Sequence, residues 1–124
     1  MKKYELTEET VTVYGKTLYR IRAVRDFGSV KTGEFGGYIE KEENLSHFGN
    51  AWIYGDARVF GNAWVYGDAR VSENAWVYGD ARVSGDARVF DNAWVYGNAE
   101  VFNTRHFFVQ GPIGSRDGYV PHQP

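Results

Sequence analysis

The stretch "AWVYGDARVSGDARVF", residues 75–90, repeats a six-letter word in which a single letter changes character: Trp76 gives way to Arg82 and Arg88. Worked outward from there, the phase runs unbroken through IYGDAR, VFGNAW, VYGDAR, VSENAW, VYGDAR, VSGDAR, VFDNAW, VYGNAE and VFNTRH, which cover residues 53–106. In each word the Val (Ile53 in the first) and the Ala two residues before it have the same parity. In an extended chain they point to one side, while the Trp/Arg letter and the Tyr/Phe/Ser letter point to the other. Each unit reads as a four-residue strand, Ala-Arg-Val-Tyr, and a two-residue corner, Gly-Asp. Glycine tolerates positive φ, and Asn and Asp follow it. Where Gly is missing, at Glu73 and Asp91, the next residue is Asn74 or Asn92, as expected if one corner residue must be left-handed. Asn103-Thr104 breaks the pattern, so the repeat is expected to end there.

A helix does not fit this pattern. Apolar residues recur at steps of 2 and 4, and every word carries a corner. A pentapeptide repeat is excluded by the period. Short strands that turn in one sense, with small and branched residues inside, suit a parallel β-helix. Burying each inward Val contributes about 1.5–3 kcal/mol, against about 1–2 kcal/mol per residue for ordering the backbone. A short stack is therefore marginal and needs closed ends. The N-terminal stretch "ETVTVYGKTLYRIRAV" alternates on both sides of Gly15-Lys16 and reads as a β-hairpin that supplies one cap. The domain reading is a β cap over 1–38, a hexad β-helix over 39–106 and an exit segment over 107–124.

Composition narrows the class. The 124 residues contain no cysteine, which excludes a disulfide scaffold and Cys-ligated metal sites. A formal charge of −2 argues against non-specific nucleic-acid or anionic-lipid binding. No apolar run is long enough to span a membrane, and "MKKYELTEET" has no apolar region of the kind a secretory signal needs. A cytoplasmic location is expected.

The hexads resemble those of left-handed hexapeptide β-helices, which place an aliphatic residue first and a small residue fifth. The resemblance implies an all-β, left-handed parallel β-helix, with three hexads to each triangular coil and about three coils in all. On that geometry residues 18 apart stack. The outward ladders become Trp52-Arg70-Arg88-His106, Arg58-Trp76-Trp94 and Trp64-Arg82-Glu100, with Tyr54-Ser72-Phe90, Phe60-Tyr78-Tyr96 and Tyr66-Ser84-Phe102 beside them. Cation–π stacking between rungs accounts for part of the Trp/Arg alternation. Phe60, Trp76, Tyr78, Trp94 and Tyr96 make one aromatic plate, expected to be a self-association surface. The resemblance makes a homotrimer the expected assembly.

Three further stretches, "RIRAVRDFGSVKTGEFGG" (20–37), "GGYIEKEENLSHFGNAW" (36–52) and "GPIGSRDGYV" (111–120), resemble an uncharacterised repeat family of bacteria and their phages. That likeness implies architecture and a bacterial-cell setting, and brings no activity with it. Its members continue into a larger C-terminal portion.

The candidate sites are few. Acyltransferases with this kind of β-helix use a histidine base and bind acyl-coenzyme A, and the histidines here are His47, His106 and His122. His47 lies where the phase slips by two residues between Leu45 and Ile53, and no carboxylate is spaced to orient a histidine. No catalytic residue is assigned. One carboxylate per corner is too few for a hard-cation cage, so no metal is expected, and nothing calls for a cofactor. In "GPIGSR", Gly111 and Gly114 expose backbone N–H groups while Ser115 and Arg116 add a hydroxyl and a guanidinium, a set that suits phosphate. With Arg58, Arg70 and Arg88 among exposed aromatics, the expected function is non-catalytic binding of a small anionic, nucleotide-like molecule. In a phage setting this would be sequestration of a host signal. A protein-interaction module and an acyltransferase are the rival readings.

Overall fold

The computed structural model describes residues 2–102 and the strand Pro112–Ser115. Asn103-Thr104, His106, Gly111, Arg116 and His122 lie outside those residues.

Strands β1 (Tyr4–Val13) and β2 (Lys16–Ala23) form the expected hairpin, with Val13 opposite Lys16. The loop is Tyr14-Gly15, one residue earlier than the Gly15-Lys16 turn read from the sequence. Both loop residues have positive φ, at 51° and 77°. Such a two-residue turn carries the twist that the flanking strands need.

Strand β3 (Phe35–Ile39) joins cap to coil. It pairs antiparallel with β2 on one side and parallel with β5 (Arg58–Val59) on the other. The two glycines of "GGY" permit that junction. A Cβ on Gly36 would fall 2.5 Å from the Ile53 carbonyl oxygen, and one on Gly37 would fall 2.4 Å from that of Ala57.

Beyond β3 the chain is a parallel β-helix with three faces. The first continues through β5, β8 (Trp76–Val77), β11 (Trp94–Gly97) and β13 (Pro112–Ser115). The second stacks β4 (Trp52–Ile53), β7 (Arg70–Val71) and β10 (Arg88–Val89). The third stacks β6 (Trp64–Val65), β9 (Arg82–Val83) and β12 (Glu100–Val101). Partners such as Trp52, Arg70 and Arg88 stand 18 residues apart, as the ladders required.

The helix makes about four turns rather than three. Ile39 pairs with Val59 and Leu45 bridges to Val65, so a turn precedes the hexads, and the two extra residues between Leu45 and Ile53 fall within it. A one-turn 3₁₀ helix, Glu42–Asn44, replaces a strand there. Buried Asn44 completes the turn: its amide donates to the Gly61 and Ala63 carbonyls at 3.1 and 2.9 Å, and its oxygen accepts from the Glu40 and Lys41 amides.

The inward letters behave as read. Every Ala and Val of the hexads from Ala57 to Val101 is buried, because neighbouring rungs close over them. The strands are shorter than expected, mostly two residues, with the rest of each word spent on the corner. The left-handed corner residue is always the first. Glu73 and Asp91 themselves take φ of 60° and 59°, and the following Asn does not take over that role.

One reading is overturned. Trp52 occupies the outward phase yet is fully buried. The segment between β2 and β3 folds over it, placing Phe27 edge-on at 5.1 Å, and Tyr4 at the start of β1 meets it edge-on at 6.2 Å. The position is outward only where no cap lies against it.

Candidate functional site: an arginine cleft beside an aromatic face

The second face carries a cleft of about 320 Å³ lined by Tyr54, Arg70, Ser72, Arg88, Phe90 and, from the cap segment, Ser29. The parallel ladder builds it. Because Arg70 and Arg88 occupy the same hexad letter one coil apart, their side chains leave the sheet side by side. Both are exposed, and among the described residues neither guanidinium makes an ion pair or hydrogen bond with another side chain or the backbone. Two adjacent guanidiniums without a carboxylate repel one another, and an anion between them relieves the repulsion.

Arg58 is not part of this cleft. It lies on the first face, half-buried, 5.5 Å over the ring of Trp76. Gly114 and Ser115, read as part of a turn, lie in strand β13 and pair with Tyr96 and Gly97 of β11. Both residues therefore stand in a ladder strand rather than in an open phosphate-binding turn. Of the arginines and glycines singled out from sequence, the fold therefore brings together Arg70 and Arg88.

The aromatic plate on the first face is contiguous but partly covered. Phe60 stacks on Tyr78 at 5.0 Å, Tyr78 on Tyr96 at 5.5 Å and Trp76 on Trp94 at 5.6 Å, all with nearly parallel rings. Phe60, however, is only 2% exposed, closed over by Val13, Leu18 and Tyr38. Tyr14 at the hairpin tip meets Phe60, Trp76 and Tyr78 edge-on. The hairpin thus takes the lower part of the plate as its own packing surface, and Phe60 cannot meet a partner. Trp94 remains exposed, with Tyr96 half-buried beside it. Burial, with Tyr14 and Tyr96 nearby, raises the Tyr78 hydroxyl above its ordinary pKa.

His47 is half-buried rather than free. Its Nδ1 accepts from the Lys3 amide at 3.0 Å, its Nε2 lies 2.9 Å from Glu42 Oε1, and its ring stacks on Tyr4 at 4.1 Å. Accepting at Nδ1 puts the proton on Nε2, which donates to Glu42. Hydrogen bonds from His47 and Lys2 hold the Glu42 carboxyl below its usual range. The carboxylate partner that the sequence did not reveal is therefore five residues away, brought close by the 3₁₀ turn. With both ring nitrogens in use, the arrangement anchors Lys3 and leaves no lone pair for a substrate.

The cap holds two more features invisible in the sequence. Buried Lys3 donates to the Ala51 carbonyl at 2.7 Å and lies 4.8 Å from the Phe27 ring; desolvation and Arg25 lower its pKa to about 8. Arg20 joins the hairpin to the first coil through the Gly36 carbonyl at 2.8 Å, the Tyr38 hydroxyl at 2.7 Å, Glu9 at 3.0 Å and Asp56 at 3.3 Å. At the corners, Glu73 and Asp91 stack on adjacent rungs, and the hydrogen bond to Asp91 raises the Glu73 pKa. No group of three or more metal-ligating side chains occurs among the described residues. Among them, too, no helix is long and apolar enough to cross a membrane.

Fold and cleft together define a β-solenoid repeat protein with a cationic groove on one face. The YdcK β-solenoid repeat matches three times, at residues 51–67, 63–79 and 81–97. A relative, the "Uncharacterized acetyltransferase YdcK" of Escherichia coli K12, is 39% identical over 62 residues, 44% of this chain. The similarity covers 19% of that relative's length.

Proposed function

We propose that this protein is a non-catalytic binding protein for a small anionic, nucleotide-like molecule, with Arg70 and Arg88 holding the anion. The observation that carries this reading is the pair of exposed guanidiniums, without a partner among the described residues, in a cleft with aromatic and hydroxyl walls. Guanidinium forks suit phosphate oxygens, and stacked rings suit bases. The volume falls at the lower end of small-molecule sites. Self-association through Trp94 and Tyr96 is part of the proposal, since exposed aromatic rungs on a short solenoid are a ready contact surface. The proposed role is to hold the ligand without converting it, in the bacterial cytoplasm.

The test is to denature purified protein and identify released small molecules by mass spectrometry, then to measure uptake by the emptied protein. Saturable uptake of a phosphorylated nucleotide, abolished in Arg70→Gln/Arg88→Gln, supports the reading. No uptake across mono-, di- and cyclic nucleotides overturns it.

A second reading, acetyl transfer from acetyl-coenzyme A, is favoured by the name of the relative. Acetyl-coenzyme A also carries an adenine nucleotide that the same cleft could accept. Against it, the engagement of both His47 nitrogens leaves that histidine unsuited to act as the base. Coenzyme A release on mixing acetyl-coenzyme A with amine acceptors distinguishes the two readings.

A further inference from the structure

The same cleft contains a gap in a ladder of rings. On the first face, the letter after the inward Val is aromatic on successive rungs, and Phe60, Tyr78 and Tyr96 stack with interplanar angles of 3° and 13°. On the second face that letter reads Tyr54, Ser72, Phe90, placed on successive rungs by the pairing of Ile53 with Val71 and of Val71 with Val89. Tyr54 and Phe90 are two rungs apart, about 10 Å at the usual strand spacing. That is about twice a ring-stacking separation. Ser72 places no ring between them.

We infer that the Ser72 rung is an intercalation slot for one planar base of a nucleoside phosphate, which enters between Tyr54 and Phe90 while its phosphate meets Arg70 and Arg88. This rests on the binding function proposed above and names its ligand class. The slot is one ring thick, with a hydroxyl at its floor to meet a polar base edge. The cations lie two residues along the chain from it, so base and phosphate are read by neighbouring letters of the same coils.

The third face provides a built-in contrast. It repeats the gap as Tyr66, Ser84 and Phe102, but Trp64 stacks on Tyr66 at 4.0 Å. Glu100 there follows Arg82 on the next rung, where the second face has a second arginine. There the lower ring, Tyr66, is already taken by Trp64, and the second cation is replaced by a carboxylate. Among the described residues, a ring gap and a pair of arginines coincide at Ser72.

The experiment compares adenosine 5′-monophosphate with ribose 5-phosphate by calorimetry on the intact protein at low salt. The nucleotide is expected to bind about tenfold or more tighter, the usual effect of one stacked base. Ser72→Phe fills the slot and should lower nucleotide affinity to that of ribose 5-phosphate. Phe90→Ala, which removes one wall, should lose the same preference, while Ser84→Phe should change neither ligand. Thermal unfolding of each variant verifies folding, and Ser72→Tyr serves if Ser72→Phe does not fold. Equal binding of both ligands, or a base preference that survives Ser72→Phe, overturns the slot and leaves the arginine site standing. No binding of either ligand overturns both.

Discussion

Trp52 and Trp64 occupy the same letter of the hexad, yet the structure assigns them opposite energetics. Trp52 is fully buried against Tyr4 and Phe27, whereas Trp64 is 41% exposed and touches Tyr66. A buried indole removes about 150–250 Å² from water, which at about 25 cal/mol per Å² contributes about 4–6 kcal/mol. The Trp52 Nε1 proton has no partner among the described residues, which costs about 1–3 kcal/mol of that gain. Those figures leave about 1–5 kcal/mol, and the cavity left behind puts Trp52→Ala in the upper part of that range, about 3–5 kcal/mol, as for other large-to-small core changes. Trp64→Ala should lose about 1 kcal/mol, the worth of one exposed ring pair. Trp52→Phe keeps the ring contacts and removes the orphaned N–H, so it should cost less than about 1.5 kcal/mol. The assay is urea unfolding. With m of about 1–3 kcal/mol/M, Trp52→Ala should lower the midpoint by about 2 M and Trp64→Ala by about 0.5 M. Native fluorescence adds a second readout: losing Trp52 should red-shift the remaining emission, because the most sheltered indole is gone. Equal midpoint shifts for the two alanine variants, or a Trp52→Phe as damaging as Trp52→Ala, would refute the claim that the cap seals this position.

Three other outcomes follow from the same geometry. Gly37→Ala places a Cβ 2.4 Å from the Ala57 carbonyl oxygen, so it should cost at least about 2 kcal/mol, read as a lowered urea midpoint. Glu73→Gly removes a left-handed non-glycine residue; a gain of about 0.5–1 kcal/mol remains after the added freedom of the unfolded chain, seen as a Tm higher by about 2–4 °C. Lys3 holds its proton less tightly folded, at about 8, than unfolded, near 10.5. Between those values the unfolded state binds more protons, so the Lys3 contribution to stability rises with pH. Urea midpoints of the parent protein should climb through that window relative to those of Lys3→Met, and parallel pH profiles would contradict the assignment.

The candidate site was legible in part. Arg70 and Arg88 share a letter 18 residues apart, and the coil period alone put them side by side. The sequence could not separate them from Arg58, because whether an outward arginine is free depends on what its rung presents nearby. Arg58 found Trp76, with the hairpin against that face, while Arg70 and Arg88 found a gap. The Glu42–His47 contact escaped for a related reason: it depends on a 3₁₀ turn in the one coil whose letters do not follow the hexad. A His five residues after a Glu has no fixed meaning until that turn is known.

The sequence by itself determined the repeat, because a six-residue period with two inward letters and one left-handed corner can be satisfied only by stacking like on like. Valine and alanine must then go inside, and partners must recur at a constant interval. Which outward letters remain outward was decided by tertiary structure. The cap folds back over Trp52 and the hairpin over Phe60, and such contacts join residues far apart in the chain by packing rather than by period. A local pattern can say which way a side chain points; only the assembled surface decides whether water, another part of the chain or a ligand meets it there.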